Sequence, residues 1–117
     1  MIDILQKLNK GLGVRGSMIV TTEGIVIKSI LGPDLEEDRV AAMASAVIQE
    51  IQRCLTKLSL GTLTQFILTA FHGKMVFQDC GPAFLVVLTE KSINLDHTLI
   101  EIRGAAFKIK SKAKIED

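Results

Sequence analysis

The 117 residues carry 14 basic and 13 acidic side chains, a formal net charge of +1, with 48% hydrophobic and 23% charged residues. This is the balance of one folded domain of ordinary size rather than of a disordered chain. Near-neutral charge and an aromatic set of five Phe with neither Trp nor Tyr argue against a basic nucleic-acid footprint and against a base-stacking platform, so no nucleic-acid partner is expected.

The opening MIDILQKLNK interrupts its apolar residues with charges, unlike a signal peptide, and no run approaches the roughly 20 apolar residues that span a bilayer. A cytoplasmic location without membrane insertion is the expectation. Ile2, Leu5 and Leu8 recur at spacing three with Ile4 alongside, which predicts a short amphipathic helix over residues 1–10, closed by Gly11 and Gly13. The stretch MIVTTEGIVIK then sets polar and turn residues between two β-branched runs, the pattern of a hairpin. Alternation puts Met18 and Val20 on one face and Ile19 on the other, and Gly24 supplies the positive φ that a tight turn needs. The tip lacks the Gly-Lys-Ser/Thr of a phosphate-binding loop, so it reads as scaffold.

Gly32-Pro33-Asp34 ends the second strand, and helical spacing follows from about Leu35 to Ser59. Asp34 is the expected N-cap, Glu36, Glu37 and Asp38 complement the positive end of the dipole, Arg53 and Lys57 suit the other end, and Gly61 closes the helix. Three strands follow: Leu63 to Phe71, Met75 to Gln78 after a His72-Gly73-Lys74 turn, and the continuous apolar run AFLVVL from Ala83 to Leu88. An apolar run buried on both faces belongs mid-sheet with helices on each side. Leu95, Leu99, Ile102, Ala106 and Ile109 mark a last helix capped by Asn94 or Ser92. The order helix, two strands, long helix, three strands, helix predicts an α/β fold in which three helices sandwich a single antiparallel five-stranded sheet. The domain is expected to cover residues 1–110, with a polar tail at 111–117 that frays.

Reactive groups do not converge in this pattern. His72 and His97 are isolated, without Cys or carboxylate at metal-ligand spacing. Cys54 falls on the apolar side of the long helix, where packing explains it. Cys80 sits beside Asp79, whose charge raises a thiol's pKa and works against activation. No catalytic, metal or cofactor-binding residues are expected, and a binding or regulatory module is the better class.

The long helix is the informative segment, because VAAMASAVIQ contains no charge. At ~100° per residue, Val40, Met43, Val47, Ile51, Cys54 and Leu58 form one stripe, and Ala41, Ala44, Ile48 and Leu55 form another. Together they cover roughly 160°, wider than the ~100° that docking on one sheet face requires. Either the helix is deeply buried in its own domain, or one side packs on the sheet and the other meets a second copy. The small domain favours the second reading. The strand after the helix adds to it, since Gly61 to His72 carries no charge and as a sheet edge would lack the usual protection. The homodimer interface expected on these grounds comprises Val40, Met43, Ala44, Val47, Ile48 and Ile51 of the helix with Leu63, Phe66 and Leu68 of the strand.

This element order, with SMIVTTEGIVIKS, RVAAMASAVIQEI and FLVVLTEKSINLDHTLIEIR, resembles the Roadblock family, which includes dynein light chains and the bacterial and archaeal partners of Ras-like GTPases. The resemblance covers about residues 1–110, with Thr22-Glu23 where the family turn often carries Asp. It implies a homodimer with a joined sheet and a non-enzymatic regulator that binds a small Ras-like GTPase and modulates its hydrolysis or nucleotide state. By that analogy the GTPase-facing surface is Ala42, Ser45, Ala46, Gln49, Arg53 and Thr56. The alternatives are a dimeric scaffold without effect on hydrolysis and, more distantly, a small-molecule sensor with a pocket between sheet and helix.

Overall fold

A computed structural model describes residues 1–116. Its elements are α1 (Ile2–Asn9), β1 (Val14–Val20), β2 (Val26–Leu31), α2 (Glu37–Lys57), β3 (Gln65–Ala70), β4 (Gly73–Asp79), β5 (Phe84–Thr89) and α3 (Leu95–Glu116). They form one antiparallel five-stranded sheet in the order β2-β1-β5-β4-β3. The expected architecture is therefore the one observed. α3 runs through 111–116, the segment read from sequence as a polar tail, whose last residue, Asp117, lies outside the described residues.

Side-chain alternation divides the interior into two layers. Met18, Val20, Phe77, Phe84 and Val86 face α2, whereas Ile19, Val76, Leu85 and Val87 face α1 and α3. β5, the AFLVVL strand, lies at the centre and is covered on both sides, which is why its sequence has no polar alternation. Leu5 and Leu8 from α1 and Ile102, Ala106 and Ile109 from α3 close one layer. Burial of each of these leucines and isoleucines contributes ~1.5–3 kcal/mol. Gly73 is required by close approach, because a Cβ there would stand 2.6 Å from the Thr89 carbonyl oxygen of the neighbouring strand.

The ends of α2 differ from the sequence expectation. Leu35 N–H donates to the Gly32 carbonyl (3.0 Å), closing a turn that takes Pro33 and Asp34 out of capping range. The first helical bond is then Val40 N–H to Glu36 O at 3.0 Å, so Glu36 rather than Asp34 is the N-cap, and it makes no side-chain cap bond. Glu37 and Asp38 still occupy the first turn, where the dipole favours them. At the other end Leu60 N–H donates to Leu55 O (2.9 Å) and Ser59 N–H to Thr56 O (3.1 Å), a Schellman closure. Ser59 takes the left-handed position at φ 57°, and Gly61, expected to stop the helix, lies two residues beyond it at φ 89°. α3 is capped as expected, with His97 N–H donating to Asn94 Oδ1 at 3.2 Å.

A candidate interaction surface along the long helix

α2 joins the two edges of the sheet: it leaves β2, the edge strand on one side, and leads to β3, the edge strand on the other. Its start is tied to β2 by the Ser29 hydroxyl donating to Glu37 Oε1. Its middle is tied to the tip of the first hairpin, because Ser45 Oγ and Gln49 Nε2 both donate to the Thr22 carbonyl, at 2.7 Å each. Its last turns are tied to the following loop. Gln52 Oε1 accepts from Leu63 N–H at 2.8 Å, and its Nε2 donates to the Gly61 carbonyl at 3.2 Å. Gly24, at φ +94°, lets the hairpin tip approach Ser45, whose Cβ would lie 3.4 Å from an added methyl.

These ties fix which side of α2 faces where. Val40, Ala41, Ala44 and Ile48 are buried on the protomer's own sheet with Leu63, and Ile51 and Leu55 pack beside them. The flank carrying Met43 and Val47 is turned away from the hairpin. Met43 is 59% exposed there and Val47 is half-buried. Ala42, Ala46, Arg53 and Thr56 are exposed on the outward side. Arg53 Nε donates to Glu50 Oε2 at 3.1 Å and Arg53 Nη2 pairs with Glu50 Oε1. The bond from Arg53, reinforced by its charge, holds the Glu50 carboxyl below its usual range, and Glu50 likewise raises the guanidinium. An exposed pair of this kind is worth little and is readily exchanged for a partner's oxygen.

The expected residue sets are thus split. Of the interface set, Val40, Ala44, Ile48 and Leu63 fill the protomer's own core, while Met43 and Leu68 are exposed and Val47, Ile51 and Phe66 are half-covered. Of the partner-facing set, Ser45 and Gln49 are engaged by Thr22, and Ala42, Ala46, Arg53 and Thr56 are open. The clamp onto Thr22 left no sequence signal, since it joins residues 23 and 27 positions apart. The Arg53–Glu50 pair was not read from the sequence, although opposite charges at i, i+3 are its signal. Cys54, read as a packed thiol, is exposed because it lies on the Met43 flank, which the protomer's own sheet leaves uncovered.

β3 completes the surface. It is an edge strand, uncharged from Gln65 to Ala70, and pairs with β4 without a bulge. The opposite edge, β2, carries Lys28 and meets β1 across a register irregularity at Ile19/Val20, two ordinary forms of edge protection. By alternation Leu68 lies on the face of Phe66, which packs in the α2-side core. Leu68 is 37% exposed. The unprotected edge, its half-bare face and the apolar flank of α2 thus border the same core, to which Phe66, Val47 and Ile51 all belong. On the hairpin side of α2, a hollow of about 660 Å³ is lined by Gln49, Gln52, Arg53, Thr56, Asp79, Gly81 and Phe84.

Two predictions follow from this geometry. Replacing Ser45 and Gln49 together by alanine removes both donors to the Thr22 carbonyl and is expected to cost about 1–2 kcal/mol. It should speed amide exchange at Gly24 and Ile25 while leaving β5 protected, and equal protection at the tip would contradict the clamp. The thiols should separate as sharply. Cys80 is fully buried, its Sγ donates to Ala83 O at 3.3 Å, and burial followed by the Asp79 charge pushes its pKa up to about 12. Iodoacetamide should therefore leave Cys80 unlabelled until the chain is unfolded; any label on the folded protein should fall on Cys54, at a rate set by how far the Met43 flank is covered, and Cys54→Ser should abolish it. Labelling of Cys80 in the folded protein would contradict this.

Comparison with known proteins agrees with the fold. Two Methanocaldococcus jannaschii proteins, Uncharacterized protein MJ0310 and Uncharacterized protein MJ1340, are each 41% identical over 112 residues, covering 95% of this chain and 98% of theirs. A Roadblock/LC7 domain from Streptomyces avermitilis superposes with a TM-score of 0.89 at 15% identity, covering 97% of this chain and 98% of that one. Myxococcus xanthus MglB superposes with a TM-score of 0.88 at 13% identity, over 96% and 93% of the two chains. Residues 3–89 match the family model described as the Roadblock/LC7 domain, and the chain belongs to that family.

Proposed function

We propose that this protein is a non-enzymatic regulator that works as a homodimer in the cytoplasm and binds a small Ras-like GTPase, modulating its GTP hydrolysis or nucleotide state. The observation that supports the dimer is bare surface on the α2 side of the sheet: Met43 and Leu68 stand exposed there, and the edge strand β3 has no charge, proline or bulge. Pairing β3 with its twin would satisfy that edge, join two sheets and bring the Met43 flanks of the two α2 helices together. Such an interface is isologous, so each residue meets the same patch on the other copy.

The GTPase reading rests on the resemblance to the family's bacterial members and on the fold shared with MglB. Within it, the open side chains Ala42, Ala46, Arg53 and Thr56 supply the contact surface. The hollow of about 660 Å³ beside Arg53 has the size to receive a loop of the partner. Arg53 acts as one surface contact among several rather than as a finger inserted into the nucleotide site. An Arg53→Ala variant should bind somewhat more weakly and, at saturation, stimulate at near wild-type level.

Titration of the protein with the host's Ras-like GTPase, loaded with GDP or with a GTP analogue, tests the contact surface. Ala46→Arg should weaken binding at least tenfold without changing mass or fold. Binding that ignores Ala46→Arg would move the contact elsewhere. Binding indifferent to nucleotide would favour the scaffold.

A further inference from the structure

The face opposite α2 carries a second exposed apolar feature that the dimer does not use. On α3, Ile100 is 66% exposed and Phe107 72% exposed. They sit at i and i+7 on one side of the helix, with Gly104 between them at i+4 and no atom within 4 Å of where its Cβ would be. This is a crest rather than a groove. The depression beside it, between α1 and α3, is about 100 Å³, too small to seat a partner helix.

The crest is flanked by cations. At ~100° per residue, Arg103 and Lys110 fall on one side of it and Lys108 and Lys112 on the other. All are exposed, and among the described residues none is ion-paired. The acidic neighbours, Asp96 and Glu101, both lie toward the start of the helix, and Glu101 faces His97 at 3.8 Å. From Arg103 to Lys112 the flanks carry charge of one sign only, on either side of Phe107, and this half of the crest complements a flat anionic surface. No described helix is long and apolar enough to cross a membrane, so any such contact lies at the surface.

We infer that the α3 face adsorbs to anionic lipid bilayers, with Phe107 and Ile100 entering the headgroup boundary and Arg103, Lys108, Lys110 and Lys112 meeting lipid phosphates. α2 then points away from the bilayer, free for a protein partner. A single protomer has the whole crest. In the dimer proposed above, a two-fold normal to the joined sheet would place both crests on the same side and raise the avidity, a gain that rests on that reading.

Sedimentation with phosphatidylglycerol vesicles at low ionic strength should carry the full chain down, and phosphatidylcholine vesicles should not. Phe107→Ser should weaken binding about tenfold, as expected from losing a partly buried ring. Lys108→Gln with Lys112→Gln should weaken it roughly 30-fold, at about one kcal/mol for each cation near the surface. Both variants change exposed side chains, and unchanged thermal melting would verify their fold. Failure to sediment with phosphatidylglycerol, equal binding to phosphatidylcholine, or indifference to these substitutions would each overturn the inference. So would tighter binding of a soluble acidic amphipathic peptide through the same residues, which would make the face a protein-docking site. Light scattering on the same samples keeps the two proposals apart: a monomer that sediments in a Phe107-dependent way supports the crest and rejects only the dimer.

Discussion

Met43→Glu should convert the protein to monomers of unaltered fold. Met43 is 59% exposed in the protomer, so a charge there is solvated and changes protomer stability by no more than about 0.5 kcal/mol. Across the proposed two-fold it would be buried against apolar side chains, with its twin from the partner copy close by. An uncompensated buried charge costs about 3–5 kcal/mol, more than a hundredfold in the dissociation constant. Analytical ultracentrifugation should show a halved mass with the far-UV spectrum unchanged, and a variant of wild-type mass would remove α2 from the interface. Val47→Glu should also dissociate the dimer but is the less clean test, since Val47 is packed against the protomer's own core and the charge would lower its stability as well. Leu68→Lys should act from the strand side by giving β3 the lysine that β2 has.

Phe77→Ala should produce the largest loss of stability. Phe77 is 1% exposed, lies between β3 and β5 in the α2-side core, and has its ring centroid 6.0 Å from that of Phe66. Removing a buried phenyl costs about 3–5 kcal/mol through lost transfer energy and the cavity left behind. Domains of this size have ~5–15 kcal/mol in total. The variant should thus be close to unfolding at physiological temperature, and Phe66 would lose the ring that supports it on the edge strand. Phe107→Ala, at 72% exposure, should change stability by about 0.5 kcal/mol or less. Urea denaturation of both distinguishes them. A loss under about 1 kcal/mol for Phe77→Ala would mean that the core relaxes around the site far more than this packing allows.

Much of the architecture was legible because hydrophobic period separates helix from strand. The alternation of Met18, Ile19 and Val20 assigned faces correctly, and the unbroken AFLVVL run belonged in the middle of the sheet because only a strand covered on both sides tolerates it. The limits of α2 were harder. Asp34 has the better capping side chain, but the Gly32–Leu35 turn claims it, and Ser59 takes the left-handed position that Gly61 seemed made for. Propensity ranks residues, whereas the neighbouring turn decides which one is available.

The candidate surface was legible only in outline. A wide apolar arc signals that α2 has two apolar sides, yet it does not say which stripe meets the protomer's own sheet. Three-dimensional ties decide that: Ser45 and Gln49 hold the hairpin, which turns Ala44 and Ile48 inward and leaves Met43 and Cys54 outside. Long-range hydrogen bonds of this kind have no periodic signature. The edge status of β3 follows from the return of the chain across the whole sheet through α2, a topological fact that the local sequence of β3 does not contain.

The most direct test of the regulatory role is single-turnover GTP hydrolysis by the host's small Ras-like GTPase, measured with and without this protein and with the Met43→Glu monomer. The account predicts that the wild type changes the rate or the nucleotide affinity of the GTPase, that Arg53→Ala at saturation does so equally, and that the monomer does so weakly. Binding with no change in either quantity would contradict a regulator and leave a scaffold. Full stimulation by a monomer would contradict the paired helices as the working surface.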